Sequence, residues 1–322
     1  MSLPYLEDLQ KTSTETSLQI FYYYTLLGDY PCFIAIIGVI MIFEPSKIQS
    51  MNGVTYLCTT LWLMNSMKML YHEKRPYFDN EIIVPYGSCS VEYGNPSGHS
   101  MFSCGLSMFL YLNFVYSNSK RDFYIKLLKR IANEKFTQDE IKMCVIFSTV
   151  LVIFAVISQV WIYLYIEDRY PYDQAWIDLV IKKCPNISRT SPIFNDVSLL
   201  NSFVCIINYT AFLGLLYKRH LFGLITEQIY FTSIIKTAHR ILLYIIASSP
   251  ALILNYLLKF DSFILTLLVR FTISLYAGFG LFFIAFYLQY KLRVLNTEAH
   301  QKYQELSQPL MDDKFGNQLV DF

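Results

Sequence analysis

Hydrophobic residues along this chain come in long runs, separated by short polar stretches. Seven runs approach the roughly 20 apolar residues that cross a bilayer: 20–43, 54–71, 99–116, 143–166, 197–217, 241–258 and 262–290. With no separate soluble stretch between them, they predict an all-α fold, a polytopic transmembrane helix bundle of about seven spans. Residues 1–19 form a polar N-terminal segment, 20–290 the bundle, and 291–322 a polar tail with no expected order. Gly28, Asp29 and Pro31 interrupt the first run, so its membrane part is expected to begin near Pro31. Arg270 lies inside the last run and must face the bundle interior or an interface. The stretch 223–240 is amphipathic, and reads as interfacial or as a helical lead-in.

Composition sharpens this picture. The chain is 54% hydrophobic and 16% charged, where soluble domains carry about 25% charged residues. Its net charge of +1, with no basic cluster interleaved with aromatics, gives no sign of a nucleic-acid partner. The first 18 residues lack the basic start and apolar core of a signal peptide. Lys and Arg set the orientation. The loop 117–142 carries seven of them and is expected in the cytosol. Alternation then puts 16 on the cytosolic side and nine opposite. The tail is cytosolic in this reading, and the loops 72–98 and 167–196 share the luminal side. Asn186-Ile187-Ser188 is a glycosylation acceptor sequence in one of those loops. Cys89 and Cys184 are the two cysteines of the long luminal loops. They either bond to each other in an oxidising lumen or remain two free thiols.

The chemistry gathers at "EYGNPSGHSMF", residues 92–102. Asn95 suits a helix N-cap and Pro96 the first helical position. Ser97, Gly98 and His99 then fall in a first turn, whose free backbone N–H groups and dipole favour an anion such as phosphate. Gly98 has no side chain to block close approach. His99 could donate a proton to a bound phosphoester. The plain alternative is a capped helix with an interfacial histidine. Upstream, Lys68 and Arg75 are seven residues apart. On a continuous helix that spacing points both side chains the same way within about 20°. Pro76 marks the end of that helix. The plain alternative here is a pair of snorkelling cations.

Lys-x6-Arg-Pro followed by Pro-Ser-Gly-His resembles the first two motifs of the type 2 phosphatidic acid phosphatase superfamily, which includes lipid phosphate phosphatases, glucose-6-phosphatase and the vanadium haloperoxidases. The resemblance covers residues from about 60 to 165. It implies that Lys68, Arg75, Ser97 and Gly98 bind phosphate and that His99 is the general acid. It implies a phosphorylated lipid, isoprenyl diphosphate or sugar phosphate as substrate, handled at the luminal face of an endomembrane such as the endoplasmic reticulum. It implies no metal and no other cofactor, and no zinc-spaced His or Cys pair stands in the chain.

The family's third motif is Ser-Arg, five residues, His, three residues, Asp, where His is the nucleophile that becomes phosphorylated. Here Ser158-Gln159 has the Ser without the Arg, and Tyr165 stands at the His position. No histidine occurs between His99 and His220. The run 167–174 (EDRYPYDQ) is either a degenerate third motif, in which Arg169 still meets phosphate, or a luminal loop left by a deletion. His72, four residues after Lys68, is the other luminal histidine. Two functions follow: a phosphoester hydrolase, or a non-catalytic relative that binds phosphate or phospholipid.

Overall fold

A computed structural model describes residues 3–27, 30–43, 48–85, 89–112, 138–184, 187, 191–222, 233–257 and 262–294. Most of the basic loop, the acceptor residues Asn186 and Ser188, most of the 223–240 lead-in and the tail from 295 lie outside them. Among the described residues the regular structure is helical and no strand occurs. Two helices, α1 (Leu3–Thr12) and α2 (Glu15–Leu27), precede α3 (Tyr30–Phe43) and α4 (Ile48–Tyr71). A single turn, α5 (Pro76–Asp79), leads to α6 (Gly98–Leu110). The long α7 (Gln138–Arg169) is followed by α8 (Gln174–Lys183), α9 (Asn195–Ser202) and α10 (Val204–Phe222). Last come α11 (Ile234–Leu257), α12 (Phe263–Phe279), a π-helical turn (Gly280–Ile284) and α13 (Ala285–Lys291).

The described residues of each apolar run are almost entirely helical. Among the described residues, three helical stretches are long and apolar enough by themselves to cross a membrane: Asp139–Arg169, Asn195–Lys218 and Phe263–Lys291. Cys32–Phe43 is a shorter apolar helix. With 32 residues, α7 is about 48 Å long. Its outer face exposes Phe147, Phe154, Trp161 and Leu164. Ile241, Ile245 and Ile253 on α11 and Ile264 and Leu268 on α12 are exposed as well. Water would not tolerate apolar surface this continuous, whereas lipid solvates it. The chain is a membrane protein.

The buried side of the bundle is organised on α4, which contacts α3, α6, α7, α9 and α10. Phe33, Ile37, Leu57, Met64, Phe102 and Phe109 form one core from α3, α4 and α6. Met41, Met51, Leu215, Tyr244, Phe282 and Ala285 form another further along. α10 and α12 meet most closely at Gly278. A Cβ there would collide with the Ile207 carbonyl oxygen and the Ala211 backbone nitrogen.

One end of the bundle carries a cap with a core of its own. Tyr77, Phe78, Tyr93, Val180, Ile193 and Phe194 pack there, drawn from both the 72–98 and the 167–196 connections. Cys89 and Cys184 close it with a disulfide, settling the alternatives left open by their positions. Lys183 donates to the carbonyls of Tyr77, Asn80 and Ile83. Its partial burial pushes its pKa below the usual lysine range, while Glu81 opposes that shift. α1 lies against the same cap. The Gln10 side-chain amide pairs with the Val84 backbone through Nε2 at 2.9 Å and Oε1 at 3.3 Å, and Asn80 donates to Glu7 at 3.0 Å. The two connections therefore share one end, as their expected common side requires, and the N-terminal helix joins them there.

Gly278→Ala is expected to lower stability by about 1–3 kcal/mol, because the new methyl meets backbone and helices must move apart. Thermal unfolding in detergent measures it, and an unchanged melting temperature would disprove the close approach. Cys184→Ser removes a crosslink across a sequence separation of 95 residues. It is expected to cost about 2–4 kcal/mol, and unreduced wild type should yield a linked Cys89–Cys184 peptide by mass spectrometry.

Candidate active site

The site is built where α4 ends. The side chain of Lys68 is 1% exposed, one turn before the helix stops at Tyr71. A cation buried this deeply needs a counter-ion close by. Glu92 supplies it, with Oε1 at 2.6 Å from Lys68 Nζ. The same Glu92 oxygen lies 3.6 Å from Arg75 Nη2. Arg75 Nε also donates to the Glu92 backbone oxygen at 2.8 Å. Lys68 and Arg75 thus converge on one carboxylate.

They do so by a route other than a continuous helix. His72 follows α4 with a φ of +37°, in the left-handed region that a helix does not use. Residues 72–75 are not helical, and Arg75, with an extended backbone, becomes the residue before α5. The two cations meet because the 92–97 segment runs back between them. Gly94 N donates to Glu73 O at 2.9 Å, and a Cβ on Gly94 would lie 3.5 Å from Arg75 Cγ.

These tethers also move the start of α6. Residues 92–97 form an irregular, bent stretch tied to 73–75, so the helix begins at Gly98 and Ser97 is its N-cap, without a side-chain capping bond. Asn95 and Pro96, expected at the cap and the first turn, lie before the helix, joined by a cis peptide bond. Ser97 O accepts from Met101 N at 3.1 Å. Gly98 sits over α4, where a Cβ would meet Met64 Sδ at 3.3 Å, one turn before Lys68. His99 follows and is exposed. The fold therefore places the second motif against the helix that bears Lys68.

The third segment lies on α7, which packs against α4. Gln159 stands where the family pattern has Arg. It is buried and donates through Nε2 to Ser66 Oγ, on the stretch of α4 that leads to Lys68. Tyr165, at the nucleophile position, is exposed and stacks on Trp161 with ring centroids 5.6 Å apart. α7 runs on as helix to Arg169, so 167–169 is helical and only the stretch before α8 is loop. Arg169 is exposed, and its Nε lies 3.6 Å from Asp168. Among the described residues, its recorded ion pair is with Asp168, and those of Lys68 and Arg75 are with Glu92.

The end of α7 packs around the site instead. Tyr170 stacks on His72 at 4.6 Å. Asn195 Nδ2 donates to Glu167 at 2.8 Å, and Tyr163 donates to Asp196 at 2.8 Å. Tyr93, next to Glu92, is buried against Phe194. Burial first, then the nearby Glu167, Tyr172 and Asp196, push its phenol above the usual range, so it stays neutral. Among the described residues no group of three His, Cys, Asp or Glu side chains could hold a metal ion. Glu92 is the one central residue that sequence reasoning missed. A glutamate in a polar loop looks solvated, and its position five residues before Ser97 is the only signal it leaves.

With this geometry in place, comparison with known families is informative. The PAP2 superfamily profile matches residues 50–165. That span runs from the start of α4 to Tyr165 and contains Lys68, Arg75, Glu92 and the 95–99 turn. No curated protein and no solved structure matches the chain.

Replacing Glu92 by Leu strands Lys68 as a buried unpaired charge. The expected cost is about 3–5 kcal/mol, by thermal unfolding in detergent. Adding Lys68→Met to that variant is expected to restore most of the loss. If the double variant is no more stable than Glu92→Leu, the pair does not hold the loop.

Proposed function

We propose, for a chain that belongs to the PAP2 superfamily through residues 50–165, that the protein binds the phosphate of a phosphorylated lipid or isoprenoid and does not hydrolyse it through a phosphohistidine. The bundle has seven spans in this reading, the cap faces the lumen of an endomembrane such as the endoplasmic reticulum, and the tail from residue 291 is cytosolic. Lys68 and Arg75 are the charged phosphate ligands. Ser97 and the backbone at Gly98 add neutral donors, and His99 stands beside them as a proton donor.

The observation that carries this reading is the contrast between the two halves of the site. Lys68 and Arg75 already share one anionic oxygen, which is how two cations divide a phosphate oxygen. The nucleophile position, Tyr165, faces outward and is stacked on Trp161. Covalent phosphoryl transfer needs a nucleophile within about 3–3.5 Å of phosphorus, and Tyr165 is exposed and stacked on Trp161. Arg169 is exposed beside Asp168, and the reading gives it no ligand role.

A second reading has one observation behind it. His72 stands at the same helix end as Lys68, with Nδ1 3.0 Å from the Leu70 carbonyl oxygen. A relocated nucleophile there, with His99 as acid, would make the protein a hydrolase after all.

The purified protein, given phosphatidic acid or an isoprenyl diphosphate, is expected to release no phosphate above a His99→Ala control. Orthovanadate binding, read by calorimetry, is expected to weaken at least about tenfold in Arg75→Ala. Phosphate release that His72→Ala abolishes would establish the second reading. Vanadate affinity that Arg75→Ala leaves unchanged would remove the first.

A further inference from the structure

Glu92 does more than balance Lys68, and this inference rests on the phosphate-binding reading above. We propose that Glu92 is the resident anion of the phosphate site and sets its specificity: it admits a terminal, dianionic phosphate and excludes the monoanionic phosphodiester of ordinary membrane lipids.

Three features of the geometry carry this. Glu92 Oε1 sits between the cations, 2.6 Å from Lys68 Nζ and 3.6 Å from Arg75 Nη2. An incoming phosphate oxygen that contacts both must take that place. Second, Glu92 is held by two independent links. Its backbone oxygen accepts from Arg75 Nε at 2.8 Å, while its side chain alone reaches Lys68. The side chain can swing out while the loop stays tied to Arg75. Third, the Glu92 side chain is 21% exposed, whereas that of Lys68 is 1% exposed. The carboxylate lies on the water side of the pair and has somewhere to go.

Charge then decides what can displace it. The two cations carry two positive charges and Glu92 returns one. A phosphomonoester carries about −1.5 to −2 at neutral pH, so exchanging it for the carboxylate brings more negative charge to a nearly dry Lys68. A phosphodiester carries a single negative charge, no more than the carboxylate. It must also compete with a group tethered to the site, whose effective concentration is on the order of millimolar or higher. A bilayer presents phosphodiester headgroups everywhere, so an open cationic pocket would fill with them. A tethered carboxylate keeps the pocket closed to that background and open to phosphatidic-acid-like or diphosphate headgroups.

The test is binding of two short-chain lipids to the full-length protein in detergent: dioctanoyl phosphatidic acid and dioctanoyl phosphatidylmethanol. Wild type is expected to prefer the monoester at least about tenfold. Glu92→Gln, which keeps shape and removes charge, is expected to bind the diester at least about tenfold more tightly than wild type and to lose most of the preference. A preference unchanged by Glu92→Gln overturns the proposal. Orthovanadate is run alongside: if it binds neither protein, the phosphate-site reading itself fails, whereas vanadate binding with unchanged discrimination removes only the role of Glu92. Should Glu92→Gln melt too early to titrate, its melting temperature in excess orthovanadate is the second measurement. Recovery towards the wild-type value supports the exchange of one anion for another, and no recovery contradicts it.

Discussion

A lysine buried at the end of a membrane helix cannot be left alone, and the rest of this site follows from that. Taking an ammonium out of water costs several kcal/mol unless a partner replaces the lost hydration. Lys68 finds its partner in Glu92, 24 residues along the chain. To deliver that carboxylate, the 92–97 segment must lie across the end of α4. Once there, it is pinned by Arg75 and by the Gly94–Glu73 backbone bond. The segment's course sets where α6 begins, and so where Ser97, Gly98 and His99 stand. The cap beyond it, closed by Cys89–Cys184, holds both connections in register. A single electrostatic requirement thus links the two motifs in space.

The helices were legible because lipid leaves few options. An apolar run long enough to span must satisfy its own backbone, and only a helix does that within one segment. The described residues of each predicted run are almost entirely helical, and among them three stretches meet length and apolarity unaided. The site was legible as a set of residues and less so as a geometry. Lys68 and Arg75 were expected together on one helix face. They do come together, but through a chain reversal after His72 that helix periodicity cannot reveal. Asn95 looked like a cap because its side chain suits one. The long-range bonds to 73–75, invisible in local sequence, displace the helix start to Gly98. Glu92 stayed hidden for the same reason: its meaning lies entirely in what it touches across the fold.

The third segment supplies packing to the end of α4. Gln159, where the resemblance expects an arginine, directs its amide to Ser66. α7 continues through Tyr165 to Arg169 and carries both outward. What stays on the inner side is packing: Ile166 is buried, and Tyr170 covers His72. Such a helix is a wall beside the Lys68–Glu92 pair. The cationic half has its own reason to persist, because Lys68 and Glu92 are structural to each other even when no ligand is present.

The most direct measurement is a cryo-electron-microscopy structure of the protein in detergent with excess orthovanadate. The account predicts density for the oxyanion between Lys68 Nζ and the Arg75 guanidinium, with the Glu92 side chain turned outward and its backbone still bonded to Arg75 Nε. It predicts no bond from vanadium to any imidazole. An empty pocket with Glu92 still on Lys68, or vanadium bonded to His72, would contradict it.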